Sequence, residues 1–420
     1  MIMKRASVLS VLFLSIFLVI QAGCSAGGAR QGEESSTVTL AFTGDIIMHI
    51  PVKSCARLHN RVRDGKSLNN DGFDYLFRDI VPALRDTDIA VGNMEFPVAP
   101  PYTSEPWIFN SPPGVLRAMK KAGFTTMHLG NNHILDQGSE GLHATLGELK
   151  ASGLDYTGIR DTKAKRPGLI KTVNGIRIGL VGYTSVMNYA IPSDLKKVEI
   201  NWLPDEEEAR SEIREMKSRC DYLVVIIHGG AEYAEKPDKE IRKRYRQLIK
   251  NGADLVVGHH PHVLQEAEMV EPIPGKRRYI FYSLGNLISN QSSVYPVGET
   301  GLSRSTRHSV ILKVRLDRTG EGMIRQGIDL VPVYTSNTLY DSRGYRNIQV
   351  RSLENDMVRL FLRKGINYSP KKSIAFDRDA AVLYTSLQSI EHVLLLGKPY
   401  REITFLKPEI PFHGKRTENQ

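Results

Sequence analysis

Thiols are scarce in this chain: 420 residues carry three cysteines, Cys24, Cys55 and Cys220. That excludes a disulfide-stapled scaffold and a thiolate metal cage, which both need more sulfur. Long apolar runs are missing as well. The longest, Val8 to Ile20, falls short of the roughly 20 residues a spanning helix requires. No internal repeat and no low-complexity tract appears beyond a small-residue stretch near the N-terminus, so repeat arrays are excluded. With 41% hydrophobic and 24% charged residues, the composition is that of a soluble globular protein and neither disordered nor collagen-like.

Lys4 and Arg5 precede the apolar run, and Ala22, Gly23 and Cys24 follow it, which is the order of a secretory signal peptide over residues 1–23. The segment QAGCSAGG resembles a bacterial lipobox, in which cleavage leaves the cysteine first and its thiol takes a diacylglyceryl group. Gln21 stands where an aliphatic residue is usual. Cys24 is the expected lipidation site and residues 24–36 a flexible tether. The expected location is the outer face of the cytoplasmic membrane, or the periplasm or outer membrane of a Gram-negative cell; an ordinary secretory signal is the alternative. Cys55 and Cys220 are then bridged, or free and buried. The net charge of +10 suits an anionic polymer or an anionic membrane face, or simply solubility. No nucleic-acid reader motif is present, and nucleic acid is not an expected partner.

From Thr37 onward short apolar runs alternate with longer amphipathic ones, the pattern of a layered α/β domain. TVTLAFTGD, DIAVGNMEF, FTTMHLGNNH, DYLVVIIHGG and ADLVVGHH read as strands, each running into Gly, Asn, Asp or His. Helices are predicted over Phe73–Leu84, over Pro113–Ala122 with Gly123 closing it, and over Pro204–Arg219 and Pro237–Lys250. Asn174-Gly175 between two β-rich runs predicts a type I′ hairpin. Further strands in RRYIFYSLGN and RHSVILKVRLD predict a two-sheet core flanked by helices. Residues 336–420 read as a helical extension, with helices near Ile348–Lys364 and Asp379–Leu396, ending in a basic tail.

In open α/β sheets ligands collect beyond the carboxyl ends of the strands. The polar residues there are Asp45, Asn93, Glu95, Asn131, Asn132, His133, Asp136, His228, His259, His260 and His262. Carboxylate, amide and imidazole donors without thiolate describe a site for zinc, manganese or iron, and the inventory is large enough for two divalent ions. Each motif alone is ordinary turn chemistry. Their joint occurrence after successive apolar runs is what points to a site. In VVGHHPHVLQ an extended segment projects His260 and His262 to one side, leaving His259 facing away in a supporting role, with Gly258 letting the backbone turn.

FTGDIIMH, AVGNMEFPV, LGNNHILDQG, VVIIHGGAEY, VVGHHPHVLQ and FYSLGNLISNQ resemble, in order, the successive signatures of the CapA family of capsule (poly-γ-glutamate) synthesis proteins, over about Val38 to Leu330. That family's domain is similar to the calcineurin-like metallophosphoesterases. The resemblance implies a four-layered α/β fold over residues 37–335, with two central mixed β-sheets flanked by helices. It implies a dinuclear metal site in which Asp45 binds one metal, Glu95 bridges where the phosphoesterases usually have aspartate, and Asn132, His228, His260 and His262 complete the ligands. His133 would be the catalytic proton donor.

Ile47 departs from the phosphoesterase pattern, which has a ligand there; His49 either substitutes or is a core or rim residue. Asp136 is expected to support His133, and His128 to be structural. Glu232 is a supporting partner, a substrate contact or a solvated carboxylate, and Asn286 touches substrate, orders a ligand or closes a turn. Arg304 and Arg307 meet an anionic substrate or lie on a solvated edge. The implied function is a membrane-tethered, metal-dependent hydrolase-like protein of capsule or poly-γ-glutamate metabolism, cleaving an amide or phosphoester bond beside polymer-synthase subunits. The alternatives are a non-catalytic accessory subunit of polymer synthesis or export, and a general metallophosphoesterase.

Overall fold

Strands that are buried on both faces read as unbroken apolar runs, and two of those predicted from the sequence, VVIIH and LVVGH, form the middle of a sheet in the computed structural model. The model describes residues 36–161, 168–193, 195, 198–203, 206–291, 306–356, 359, 390–395 and 403–405. The signal segment, the tether with Cys24, Arg304, the basic tail and most of Asp379–Leu396 lie outside the described residues.

In chain order the first half comprises β1 (Thr37–Ile46), α1 (Ile50–Leu58), β2 (Val62–Arg63), β3 (Lys66–Ser67), α2 (Asp74–Phe77), α3 (Val81–Arg85), β4 (Ile89–Met94), α4 (Gly114–Ala122), β5 (Thr126–His128), α5 (Gly138–Ala151), β6 (Asp155–Thr157), β7 (Ile159–Asp161), β8 (Gly168–Val173) and β9 (Ile176–Thr184). The second comprises β10 (Val198–Ile200), α6 (Glu206–Arg219), β11 (Tyr222–His228), α7 (Lys239–Asn251), β12 (Leu255–His259), β13 (Ala267–Ile273), β14 (Lys276–Phe281), β15 (Asn286–Ile288), β16 (His308–Arg318), β17 (Ile324–Leu339), β18 (Arg346–Ser352) and β19 (Ile403–Phe405).

Two mixed sheets carry the architecture. The larger runs β18-β17-β16-β1-β4-β5-β6, with β15 joined to the end of β1 and β19 to β17; the smaller runs β13-β14-β12-β11-β9-β8. β1, β4, β5 and β6 are mutually parallel, as are β9, β11, β12 and β14, while hairpins close the edges. Side-chain alternation along each strand divides the core. Leu40 and Phe42 of β1 pack with Val224 and Ile226 of β11 and Val257 of β12 between the sheets. Ala41 points the other way, toward Val52 of α1, Leu116 of α4 and Leu142 of α5. Val225 and Ile227 face Ile213 of α6 and Leu248 of α7. The α/β character with mixed sheets flanked by helices is thus as the sequence indicated.

Local chemistry explains the element ends. Asn174 (φ 46°) and Gly175 (φ 74°) form the predicted tight turn between β8 and β9. Gly123 caps α4 with φ 117°. Asp238 accepts the Ile241 amide at 2.8 Å and starts α7.

Several expectations are corrected. The single helix over Phe73–Leu84 is two short helices separated by a 3-10 turn at Arg78–Ile80. The helix expected from Ile348 is instead β18 up to Ser352, antiparallel to β17. β17 itself continues through residue 335 to Leu339, so the large sheet crosses the expected domain boundary. Ile348 and Val350 alternate with Gln349 and Arg351, a period of two that an apolar pattern resuming at Leu353 disguised. Arg307, read as a solvated-edge residue or a substrate contact, is completely buried before β16. Of the two readings left open for Cys55 and Cys220, the second holds: both are free and buried, each thiol pushed up to about 11 chiefly by burial.

Gly258 does not serve a turn. It lies within β12, where an added Cβ would stand 2.0 Å from the Tyr282 carbonyl oxygen on the neighbouring chain segment. Gly258→Ala is therefore expected to destabilise the protein by roughly 2–3 kcal/mol, because a backbone atom cannot swing aside as a side chain can. A denaturation midpoint equal to that of the parent would contradict this close approach.

Candidate metal centre

The carboxyl ends of β1, β4, β11 and β12 converge, and each delivers one or more of the polar residues singled out from the sequence. Register makes this possible: Asp45 of β1 is paired with Asn93 of β4 and Asn286 of β15, and His228 of β11 with His259 of β12. Asp45, Glu95, His228 and Asn286 are fully buried, and Asn93, Asn132, His259, His260 and His262 nearly so.

Asp45 is the hub. Its Oδ1 accepts from Asn93 Nδ2 at 2.7 Å and lies 2.9 Å from His259 Nδ1, while its Oδ2 lies 3.0 Å from His262 Nδ1. Burial pushes this carboxyl upward, but the hydrogen bonds and charges of His259 and His262 outweigh it and hold Asp45 well below the ordinary carboxylate range. His228 Nε2 lies 2.8 Å from Asn132 Oδ1 and 3.1 Å from His260 Nδ1. Burial lowers the pKa of His228 well below the usual value and that of His260 to about 4. Both imidazoles are therefore neutral near pH 7, the form that donates a lone pair to a metal. For His262 burial is outweighed by Glu95 and Asp45, which raise it to about 9.

Glu95 decides whether a metal suits this place. Both its carboxyl oxygens are buried, and neither has a hydrogen-bond partner among the described residues. Burial pushes its pKa well above the carboxylate range, with Asp45 adding to the shift. An orphaned buried carboxyl costs on the order of 1–3 kcal/mol, and its Oε1 stands 3.8 Å from His228 Nε2 and 3.7 Å from His262 Nε2. The Asn93 Oδ1 is also buried and has no partner among the described residues. These oxygens, with the neutral imidazoles of His228 and His260 nearby, could bind a hard-to-borderline divalent cation. Two triads, Glu95 with His228 and His260, and Asp45 with Glu95 and His262, each have ligand atoms within 4.8 Å of one another. Glu95 belongs to both. A third grouping brings exposed Glu232 to His260 and His262.

The H-x-H geometry differs from the extended segment expected. β12 ends at His259, and His260 (φ 96°) and His262 (φ 60°) both take left-handed backbone. Such conformations are strained for non-glycine residues and cluster at functional sites. His259, instead of facing away, ends the strand with its ring on Asp45.

His133 is held beside the cluster. Its Nδ1 lies 2.8 Å from Asp136 Oδ2, whose carboxylate also accepts the Phe109 amide at 2.5 Å. Asn131 donates to the Met94 carbonyl and accepts the His133 amide, fastening that turn to β4. His128 is buried against Gly130 and Gly182, with its ring stacked 6.2 Å from that of His259. Ile47 is in the core, and His49 does not join any donor group; its Nδ1 accepts the Asn290 amide at 3.1 Å and its ring contacts Phe109. Asn286 Oδ1 lies 3.1 Å from His262 Nδ1, and its amide is anchored by Ser289, Gln291 and the Thr306 carbonyl.

One participant was not foreseen. Asn188 accepts from Asn132 Nδ2 at 3.0 Å and places its own amide nitrogen 3.4 Å from either ring nitrogen of His133. It lies in the loop after β9, outside any strand-end motif, and carried no sequence signal.

Fold and centre together define a mixed α/β protein with a buried histidine–carboxylate site able to take metal. The chain belongs to the bacterial capsule synthesis family, matching the description "Bacterial capsule synthesis protein PGA_cap" over residues 39–291. It is 30% identical over 310 residues to the capsule biosynthesis protein CapA of Bacillus anthracis, covering 71% of this chain and 68% of that protein. It is 30% identical over 355 residues to the PGA biosynthesis protein CapA of Bacillus subtilis strain 168, covering 82% and 85%. Among solved structures it is similar to the NAD nucleotidase of Haemophilus influenzae, at 12% identity and a TM-score of 0.44, over 90% of this chain and 58% of that one. Among the described residues no helix is long and apolar enough to cross a membrane.

Proposed function

We propose that this protein is a metal-dependent hydrolase of anionic polymer metabolism, acting on the amide bonds of poly-γ-glutamate at the outer face of the cell membrane, where a lipid on Cys24 tethers it through residues 24–36. The membership in a capsule synthesis family supports the polymer, and the unpartnered carboxyl of Glu95 between the two donor triads supports the metal. A pair of divalent ions, zinc, manganese or iron, would supply Lewis acidity and activate water there. Asp45, Glu95, Asn132, His228, His260 and His262 are the residues that would hold it.

The chain's own residues supply the rest. Asp136 fixes the His133 ring through Nδ1, so Nε2 is the atom that protonates the leaving nitrogen. Asn188 and Phe109 keep that ring in place from two sides, the latter at a centroid distance of 4.2 Å. His259 and Asn286 orient Asp45 and His262, as outer partners of ligands do. His133→Ala is expected to lower hydrolysis of a γ-glutamyl oligomer by about 10²–10⁴-fold with metal content unchanged. Turnover of phosphoesters with none of γ-glutamyl amides would assign the protein to general phosphoesterases. No turnover of either, with polymer production unaffected by His133→Ala, would make it a non-catalytic accessory of synthesis or export.

A further inference from the structure

The two groups that hold the His133 ring each sit next to an exposed aromatic side chain. Trp107 lies two residues before Phe109 and is 69% exposed; Tyr189 follows Asn188 and is 41% exposed. The Trp107 ring is 6.4 Å from that of His49, edge to face, and His49 in turn packs on Phe109 at 5.0 Å. Trp107 is thus connected to the His133 ring through His49 and Phe109, and Tyr189 is the chain neighbour of Asn188, whose amide reaches that ring; His133 itself is 8% exposed.

Trp107 also breaks a local rule. The Glu105 and Ile108 amides each donate to the other's carbonyl at 3.2 Å, which closes a turn with Pro106 and Trp107 at its corners. Its third position takes φ +68°, where glycine or asparagine is ordinary and a bulky residue is strained. A strained backbone that holds a large apolar ring out in water does nothing for folding, and such exceptions gather at functional positions. The turn is nevertheless well fixed: Lys53 Nζ donates to the Asn110 carbonyl at 2.8 Å, Ser104 Oγ donates to the same carbonyl at 2.9 Å, and Asp136 accepts the Phe109 amide. The ring is thus presented on a fixed turn that connects to His133 through His49 and Phe109.

We infer that Trp107 and Tyr189 form an aromatic clamp at the mouth of the centre, binding an extended, amide-linked chain by its methylene and amide faces and positioning the bond to be cut beside His133. This rests on the polymer substrate proposed above. A γ-linked glutamyl chain suits such a clamp, since each residue presents two methylenes and a planar amide to a ring while its carboxylate stays in water. Aromatic rings do this at small cost in side-chain entropy.

The test uses the full chain carrying Trp202→Phe, so that Trp107 is its sole tryptophan, titrated with a γ-glutamyl decamer and followed by calorimetry and by tryptophan emission. A saturable emission change with the same midpoint as the calorimetric one is expected. Trp107→Gly in the wild-type background, and Tyr189→Ala, should each weaken binding by about tenfold or more. Trp107→Gly should retain metal, with a thermal midpoint equal to or above that of the parent, because glycine suits φ +68°. Unchanged affinity in Trp107→Gly, or an emission that ignores a binding event seen by calorimetry, overturns the clamp while leaving the polymer reading intact. Absence of decamer binding to the parent overturns both. Loss of metal in Trp107→Gly counts against the clamp, since it would make the turn part of the centre's support.

Discussion

Glu95→Met is expected to make the metal-free protein more stable and the metal-supplied protein useless. In the parent, two buried carboxyl oxygens have no hydrogen-bond partner among the described residues, and burial and the neighbouring Asp45 oppose ionisation. Removing an unsatisfied buried polar group in favour of an unbranched apolar side chain of similar length should gain about 1–3 kcal/mol in the presence of a chelator. The same change removes the one residue common to both donor triads. Loss of an outer partner of a metal ligand costs roughly 10–100-fold in affinity or activity; loss of the shared ligand should cost more, on the order of 10³-fold or beyond in turnover. Elemental analysis of the variant should give less than half the metal of the parent. The opposite signs of the two effects separate this account from a structural role. If Glu95 served only the fold, Glu95→Met would lower stability with and without metal.

Asp45 is expected to behave differently, although it lies in the same cluster. Its oxygens are satisfied by Asn93, His259 and His262, so its replacement takes from buried His259 the partner of its Nδ1 and from Asn93 and His262 one of theirs, whether or not metal is present. The contrast between these carboxyls is invisible in the sequence, where each merely follows an apolar run. What the residues could convey was the meeting of strand ends: a parallel sheet places them on one side, and six motifs in order supplied the inventory. Burial then divided the inventory by role. Asn131 went to holding a turn, His128 to packing against glycines, and His49 to the aromatic rim. Asn188 escaped notice because a loop residue acquires its contacts only from tertiary structure. The left-handed backbone of His260 and His262 escaped for the complementary reason, since two-residue spacing suggests a strand and carries no sign of φ.

Chelation should lower the stability of the parent, and the loss should begin at one place. A ligand that binds only the native state stabilises it by RT ln(1 + [L]/Kd), about 4 kcal/mol at 1,000 times Kd, so removing metal should reduce the unfolding free energy by several kcal/mol. Glu95→Met should show little of that dependence. Without a cation, the left-handed backbone at His260 and His262 and the approach of His228 and His262 to Glu95 are held only by local hydrogen bonds, whereas the strands behind them keep their apolar core. Local openings are drawn from the least stable parts of a fold. Hydrogen exchange measured with and without chelator should therefore show the segment His260–Leu264 losing protection first, while Tyr222–Ile227 and Leu255–Gly258 stay protected until global unfolding. Uniform loss across all three segments would mean that the strain is held by packing alone. Protection unaltered by chelator would mean that no cation is bound between Asp45, Glu95 and the histidines.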